Sequence, residues 1–257
     1  MTTVTVVIPV LNDARMLERC LESLAHQTRR PDEVIIVDNG STDDSALVAH
    51  RYAATLIDEP RPGITAAAAR GFDTATGEII ARCDADSILP PTWIERIERT
   101  LDENPEAVAV TGPGTFYNMN RTIELLARGF YIYGYFLSMR LLLGHHVLYG
   151  SNCAVRSEAW RAVSASVPRD DSEIHDDMDL SYRLPAHSRV RLDNALVVGI
   201  SARPFDSISV YVRRLRRAVH TFSLHLPDQL PHRRYAARRR TMAAMPQPRQ
   251  DARAAQS

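Results

Sequence analysis

Between residues 4 and 86 the chain alternates strand-like and helix-like segments with short connections, and that alternation leaves little freedom in the fold. Val4–Val10 is nearly continuously apolar and rich in β-branched residues, as a strand buried on both faces must be. Residues 13–27 then place Met16, Leu17, Cys20, Leu21 and Leu24 on one helical face. A second buried strand is expected over 33–37, a helix over 45–54 and a short strand over 55–58. An alanine-rich helix over 66–76, closed by Gly77, leads into a strand over 78–83. This order predicts an α/β fold with a mainly parallel central sheet flanked by helices. Ligands in such folds sit beyond the carboxyl ends of the strands. Three polar strings, PVLND, VDNGSTDD and DADS, follow three of the strands at that edge.

The DADS string carries the first chemical hint. Asp84 and Asp86 are spaced i, i+2, and in extended backbone that spacing puts both carboxylates on one side, within reach of one cation. Hard oxygen ligands suit Mg²⁺ or Mn²⁺, which keep water and take further oxygens from a substrate diphosphate. Two aspartates also fit any solvated turn, so the string alone does not decide. Further along, a helix is expected over 93–104 and a strand over 107–111. An aromatic and apolar region follows at 115–150, then Gly150-Ser151-Asn152, a helix over 157–164 and an acid-rich stretch at 174–180. His145, His146, His175 and His187 show no spacing that selects one of them as a metal ligand.

Composition narrows the chemistry. With 257 residues, one domain plus a tail is the expected organisation. The chain has no lysine, which excludes a Walker loop lysine, a Schiff-base lysine and a lysine general base. Cys20, Cys83 and Cys153 lie far apart without metal spacing and read as buried thiols in a reducing compartment. The N-terminus has no basic leader region, so no signal peptide is expected. The apolar stretch at 129–139 is far short of the roughly 20 residues a membrane-crossing helix needs. Net charge is zero but uneven. Residues 206–257 hold eleven arginines against three aspartates, while residues 1–205 hold twenty arginines against twenty-eight acids. The basic segment after residue 206 has helical spacing, with Tyr211, Val212, Leu215, Val219 and Phe222 set against Arg213, Arg214, Arg216 and Arg217. It fits either a helix packed on the body or an interfacial helix on an anionic bilayer. It matches no nucleic-acid-binding module, so no nucleic-acid partner is expected. Expected divisions are a domain at 1–205, a basic helical extension at 206–245 and a disordered tail at 246–257.

The series TVVIPVLND, IIVDNGSTDD, ARGFDTATGEII, DADS, GSNCAVRSEAW and HDDMDLSYRL resembles the inverting family-2 glycosyltransferases of the GT-A fold, over residues 4–205. The resemblance implies a Rossmann-like GT-A domain, with a mainly parallel central sheet flanked by helices, ahead of the basic helical C-terminal tail read from the charge pattern. It implies a nucleotide pocket lined by Pro9, Leu11 and Asn12, with Asp38 and Asn39 on the base or ribose. Many relatives have Asp-Asp where this chain has Asp38-Asn39. Asp84, with Ala85, would meet the ribose and metal side, and Asp86 would bind the Mg²⁺ or Mn²⁺ that bridges the diphosphate. Asp177 matches the general base, and Asp176 stands where relatives usually have glutamate. Asn152 and Asp176 would lie on the acceptor side. Arg70 can neutralise the diphosphate or make a surface ion pair, and Arg203 can close over the diphosphate. Asp179 is expected to be a helix N-terminal acid.

The implied partners are a nucleoside-diphosphate sugar and a hydroxyl acceptor on a glycan or glycolipid, lipid-linked or in the cell envelope. An anionic membrane surface is a further implied partner, for a cytoplasmic protein peripheral on the inner face of the plasma membrane. Two other functions stay open on sequence. One is a non-catalytic, membrane-associated protein that binds sugar nucleotides. The other is a sugar-phosphate nucleotidyltransferase, which PVLND fits poorly because it lacks glycine and lysine.

Overall fold

The computed structural model describes residues 2–203, 207–226 and 228–244. Among them, seven strands form one sheet in the order β3-β2-β1-β4-β7-β5-β8. These are β1 (Val4–Val10), β2 (Glu33–Asp38), β3 (Thr55–Asp58), β4 (Ile79–Arg82), β5 (Ala107–Thr111), β7 (Cys153–Arg156) and β8 (Arg189–Leu192). A small second sheet pairs β6 (Gly114–Phe116) with β9 (Val198–Ile200) in parallel. All seven residues of β1 are buried, because the strand lies between parallel neighbours β2 and β4 and is covered on both faces. The carboxyl ends of β2, β1 and β4 therefore stand side by side, and the three polar strings leave the sheet at one edge.

The first half follows the expected order with small shifts at the ends. Helices α1 (Ala14–Ala25), α2 (Ser45–Arg51) and α3 (Ile64–Thr74) alternate with the strands, and α4 (Trp93–Asp102) follows. One face of the sheet packs Leu17, Leu21, Trp93 and Ile97. The other packs the alanines of α3 with Phe72, whose ring meets Trp160 edge-on at 5.1 Å. Gly77 does not close α3, which ends at Thr74. A Cβ there would lie 2.7 Å from the backbone nitrogen of Thr5, so glycine lets the chain pass close under β1.

One departure matters for the site. Strand β7 enters antiparallel between β4 and β5, so the residues just before Cys153 arrive at the edge where β4 ends. The acid-rich stretch is largely helix, as α8 (Asp176–Arg183). The aromatic region forms α5 (Arg121–Ala127), a π-helical stretch (Arg128–Tyr133) and α6 (Gly134–Leu143). Helix α7 (Ser157–Val163) follows β7.

The basic segment folds as α9 (Ile208–His225) and α10 (Pro231–Ala244). Both pack on the body. Thr221 and His225 are buried, and buried Arg234 donates to the carbonyls of Leu143, Tyr182 and Leu184. The tail expected at 246–257 lies outside the described residues.

Candidate active site

Arg82, the last residue of β4, is the centre of a carboxylate cluster. An arginine buried in a sheet needs acids around it. Its Nη2 donates to Asp84 Oδ1 at 3.0 Å and its Nη1 pairs with Asp176 Oδ2 at 2.6 Å. The charge of Asp177 also bears on it. Gly150 makes room, since a Cβ there would lie 2.2 Å from Arg82 Nη1. The same loop joins the two ends of the site. Gly150 N donates to Asp177 Oδ2 at 2.9 Å, and the neighbouring Ser151 Oγ donates to Asp84 Oδ2 at 2.5 Å. The second oxygen of Asp177 accepts from Met178 N at 2.7 Å. Asp177 thus stands at the start of α8 with both oxygens oriented by backbone donors.

The i, i+2 geometry expected for Asp84 and Asp86 is corrected. The strand stops at Arg82, and Ser87 N donates to Asp84 O at 3.0 Å, closing a turn. In a turn the two carboxylates diverge. Asp84 has one oxygen on Arg82 and the other on Ser151. Asp86 points toward Arg203, whose Nη2 pairs with Asp86 Oδ2 at 2.6 Å and Asp13 Oδ2 at 2.5 Å. Buried Ala85 separates them.

The electrostatics follow from burial. Asp176 is pushed up to about 6 by burial, with Asp177 and Asp84 adding repulsion and Arg82 pulling the other way. Asp86 is raised as well, first by burial and then by the charge of Asp84, against the attraction of Arg203. Such a site is short of positive charge. Among the described residues no three His, Cys, Asp or Glu side chains converge into a metal cage. Hard carboxylate oxygens at Asp86, flanked by Asp84 and Asp13, nevertheless fit Mg²⁺ or Mn²⁺. The Arg203 guanidinium, between Asp13 and Asp86, supplies positive charge to the same carboxylates that would hold such an ion.

The structure places the other expected residues as follows. Pro9 is buried in β1, and Leu11 is exposed beyond its end. Asn12 takes a left-handed conformation (φ 51°), and its Oδ1 accepts from Thr42 N at 2.7 Å, holding the 41–42 turn against β1. Asp38 Oδ1 accepts from Ser41 N at 2.9 Å.

Asn39 is a correction. Its Nδ2 donates to the carbonyls of Glu59 and Arg61, and its Oδ1 accepts from Gly63 N, so the amide braces the loop before α3 instead of facing a nucleotide. Aspartate could not donate to those carbonyls, which explains the asparagine. Asn152 is a second correction. It is fully buried, donating to the carbonyls of Pro113 and Leu196 and accepting from Trp93 Nε1, so it holds the core and does not face an acceptor. Arg70 is exposed on α3, where its charge acts on Glu59, and among the described residues no contact joins it to Asp84 or Asp86. Asp179 is deeper than expected, buried between Arg183 (2.6 Å) and His225 (2.8 Å).

Sequence reasoning missed Arg82 and Asp13, and it set Gly150-Ser151-Asn152 beside the acceptor or in a plain turn without the link of Ser151 to Asp84. A signal for Arg82 was present, since an arginine inside the apolar run GEIIARC must find acids. None existed for Ser151, because its reach to Asp84 depends on the antiparallel entry of β7.

A sequence model of glycosyl transferase family 2 matches residues 5–163. The chain is 31% identical over 126 residues to the putative glycosyltransferase EpsH of Bacillus subtilis (strain 168), a match covering 47% of this chain and 37% of that one. It is 37% identical over 105 residues to the uncharacterized glycosyltransferase Rv0539 of Mycobacterium tuberculosis (strain ATCC 25618 / H37Rv), covering 41% and 46%. The matched stretch thus spans less than half the length of these relatives.

Among solved structures it is similar to the mannosyltransferase PcManGT from Pyrobaculum calidifontis in complex with GDP-Man and Mn²⁺. The TM-score is 0.70 at 20% identity, over 96% of this chain and 76% of that one. It is also similar to glucosyl-3-phosphoglycerate synthase from Mycobacterium tuberculosis in complex with Mn²⁺ and UDP-Glc. There the TM-score is 0.63 at 22% identity, over 87% and 79%. Both likenesses are of fold, a GT-A architecture with a mostly parallel central sheet between helices.

Proposed function

The chain belongs to glycosyl transferase family 2, and from that premise we propose that it transfers a sugar, with inversion, from a nucleoside-diphosphate donor to a hydroxyl acceptor. One observation carries this reading: Gly150 and Ser151, adjacent in sequence, bind Asp177 and Asp84, so the helix with the candidate base and the sheet edge with the donor carboxylates form one unit. The donor diphosphate would lie over the turn of Asp84-Ala85-Asp86. Asp86, with Asp84 and Asp13 near it, would hold Mg²⁺ or Mn²⁺, which supplies charge neutralisation to the departing diphosphate. Arg203 would release Asp86 and turn its charge to the diphosphate oxygens. Asp177 takes the proton from the acceptor hydroxyl, its carboxylate oriented by Gly150 N and Met178 N. Attack opposite the leaving group inverts the anomeric carbon without a covalent intermediate.

For the acceptor, the reading is a lipid-linked or cell-envelope glycan, with the protein peripheral on the inner face of the plasma membrane. Arginine-rich α9 supports this, since cytoplasmic leaflets carry anionic lipid. No helix among the described residues is long and apolar enough to cross a membrane. Asp177→Asn tests the chemistry. Release of nucleoside diphosphate from a panel of nucleotide sugars, with membrane extract supplying acceptors, should fall about 10²–10⁴-fold while donor binding is kept. Near-wild-type turnover in that variant would refute a base-assisted attack by hydroxyl.

A further inference from the structure

Helix α9 exposes an apolar stripe as well as most of its arginines. Buried Thr221 and His225 seat it on the body, where Arg217 pairs with Glu173 at 3.5 Å and His220 Nε2 contacts Asp171 at 2.7 Å, while Arg213, Arg214 and Arg216 are exposed. Its apolar side faces outward. Ile208, Tyr211, Val212, Leu215 and Val219 recur at i, i+3, i+4, i+7 and i+11, one face of a helix, and all are exposed, Ile208 to 84%.

A second stripe runs along the helical stretch from α5 through α6. Ile123, Leu126, Phe130, Tyr133, Leu137 and Leu141 are spaced three or four apart and exposed, Phe130 to 83%. The stripe is about 27 Å long. The two helices meet where Arg214 Nη1 donates to the Tyr131 hydroxyl at 3.4 Å. Scattered exposed apolar residues are ordinary, but two contiguous stripes on neighbouring helices mark a surface that something covers.

We infer that these stripes form a docking surface for an anionic lipid bilayer. Charge selects the occupant. Residues 208–225 carry Arg213, Arg214, Arg216 and Arg217 and no acid. Residues 121–143 carry three arginines and a single acid, Glu124, which is buried and accepts from Thr115. Apolar and aromatic side chains thus enter the acyl boundary while exposed arginines not held by Glu173, Arg213 and Arg214 among them, reach the headgroups, the arrangement of interfacial helices. The surface gives the membrane-linked acceptor reading, on which this inference rests, a physical means of bringing the enzyme to its substrate.

Co-sedimentation of the full chain with phosphatidylglycerol/phosphatidylcholine vesicles tests it, against phosphatidylcholine vesicles alone. Wild type should bind the anionic vesicles, less so as salt rises. The exposed pairs Phe130→Glu/Leu137→Glu and Leu215→Glu/Val219→Glu should each lower that partition about tenfold or more. Mn²⁺-dependent binding of UDP or GDP, read by calorimetry, should be the same in these variants as in wild type, which shows that they fold. Absence of wild-type binding, or variants that bind equally well, would overturn the inference. So would a wild-type dimer in analytical ultracentrifugation that either pair of substitutions splits, since a second copy would then cover the stripes. A wild type that binds nucleotide but no anionic vesicles refutes the surface alone. A wild type that binds neither nucleotide refutes the proposed chemistry instead.

Discussion

Arg82 sets the electrostatic balance of the site, because a single guanidinium serves Asp84 and Asp176 and faces Asp177. Removing one partner of a buried ion pair leaves the other charge without compensation. Arg82→Met should therefore destabilise the protein by about 3–5 kcal/mol in urea unfolding. The double variant Arg82→Met/Asp176→Asn should recover part of that loss, and additive costs would show that the two residues are not coupled. Gly150→Ala should disturb the same cluster from the other side, since its methyl group would fall on Arg82 Nη1. Asn39 illustrates a different kind of residue, one that resembles a ligand-binding group in sequence yet braces a loop in space.

At the scale of elements, the helices after the sheet hold α8, and hence Asp177, in place. Thr221 Oγ1 accepts from His175 N just before α8, and His225 contacts Asp179 within it. Helix α10 is held by Arg234, whose Nη2 lies 3.1 Å from His145 Nε2, while His145 Nδ1 lies 2.8 Å from the carbonyl of His146. That geometry needs neutral His145, with Nδ1 donating to the carbonyl and Nε2 accepting from the arginine. Burial, with Arg234 adding repulsion, lowers His145 from 6.5 to about 4. The unfolded chain therefore takes up a proton that the folded chain refuses, and stability falls as pH drops from about 6.5 to about 4, by about 3 kcal/mol in total. Below that window the two states are equally protonated and this contribution falls no further. Denaturant melts across this range should show the slope, and His145→Gln, which can still accept from Arg234, should flatten it. Elements with strong local patterning were legible in the sequence: continuously apolar β1 and the helical face of α1 left one reading each. The antiparallel insertion of β7 was not, because partner choice in a sheet is decided by distant residues. Nor was the turn at Asp84–Asp86, where the spacing of two aspartates carries no record of where the strand ends.

Over the whole molecule, the excess arginines of the C-terminal segment meet part of the acid excess of the body, as Arg216 and Arg217 do on Glu173. This leaves a sheet edge rich in carboxylates beside helices rich in exposed apolar side chains. The first suits a metal-bridged diphosphate and the second a membrane. The most direct test concerns the first: isothermal titration of UDP and GDP into wild type, Asp86→Ala and Asp177→Asn, with and without Mn²⁺. At least one nucleotide should bind wild type and Asp177→Asn in a Mn²⁺-dependent manner, and Asp86→Ala should lose that dependence with an affinity drop of about tenfold or more, roughly 1.4 kcal/mol. Nucleotide binding that ignores Mn²⁺ in wild type, or keeps its full Mn²⁺ dependence in Asp86→Ala, would contradict the assignment of this edge as a metal-assisted donor site.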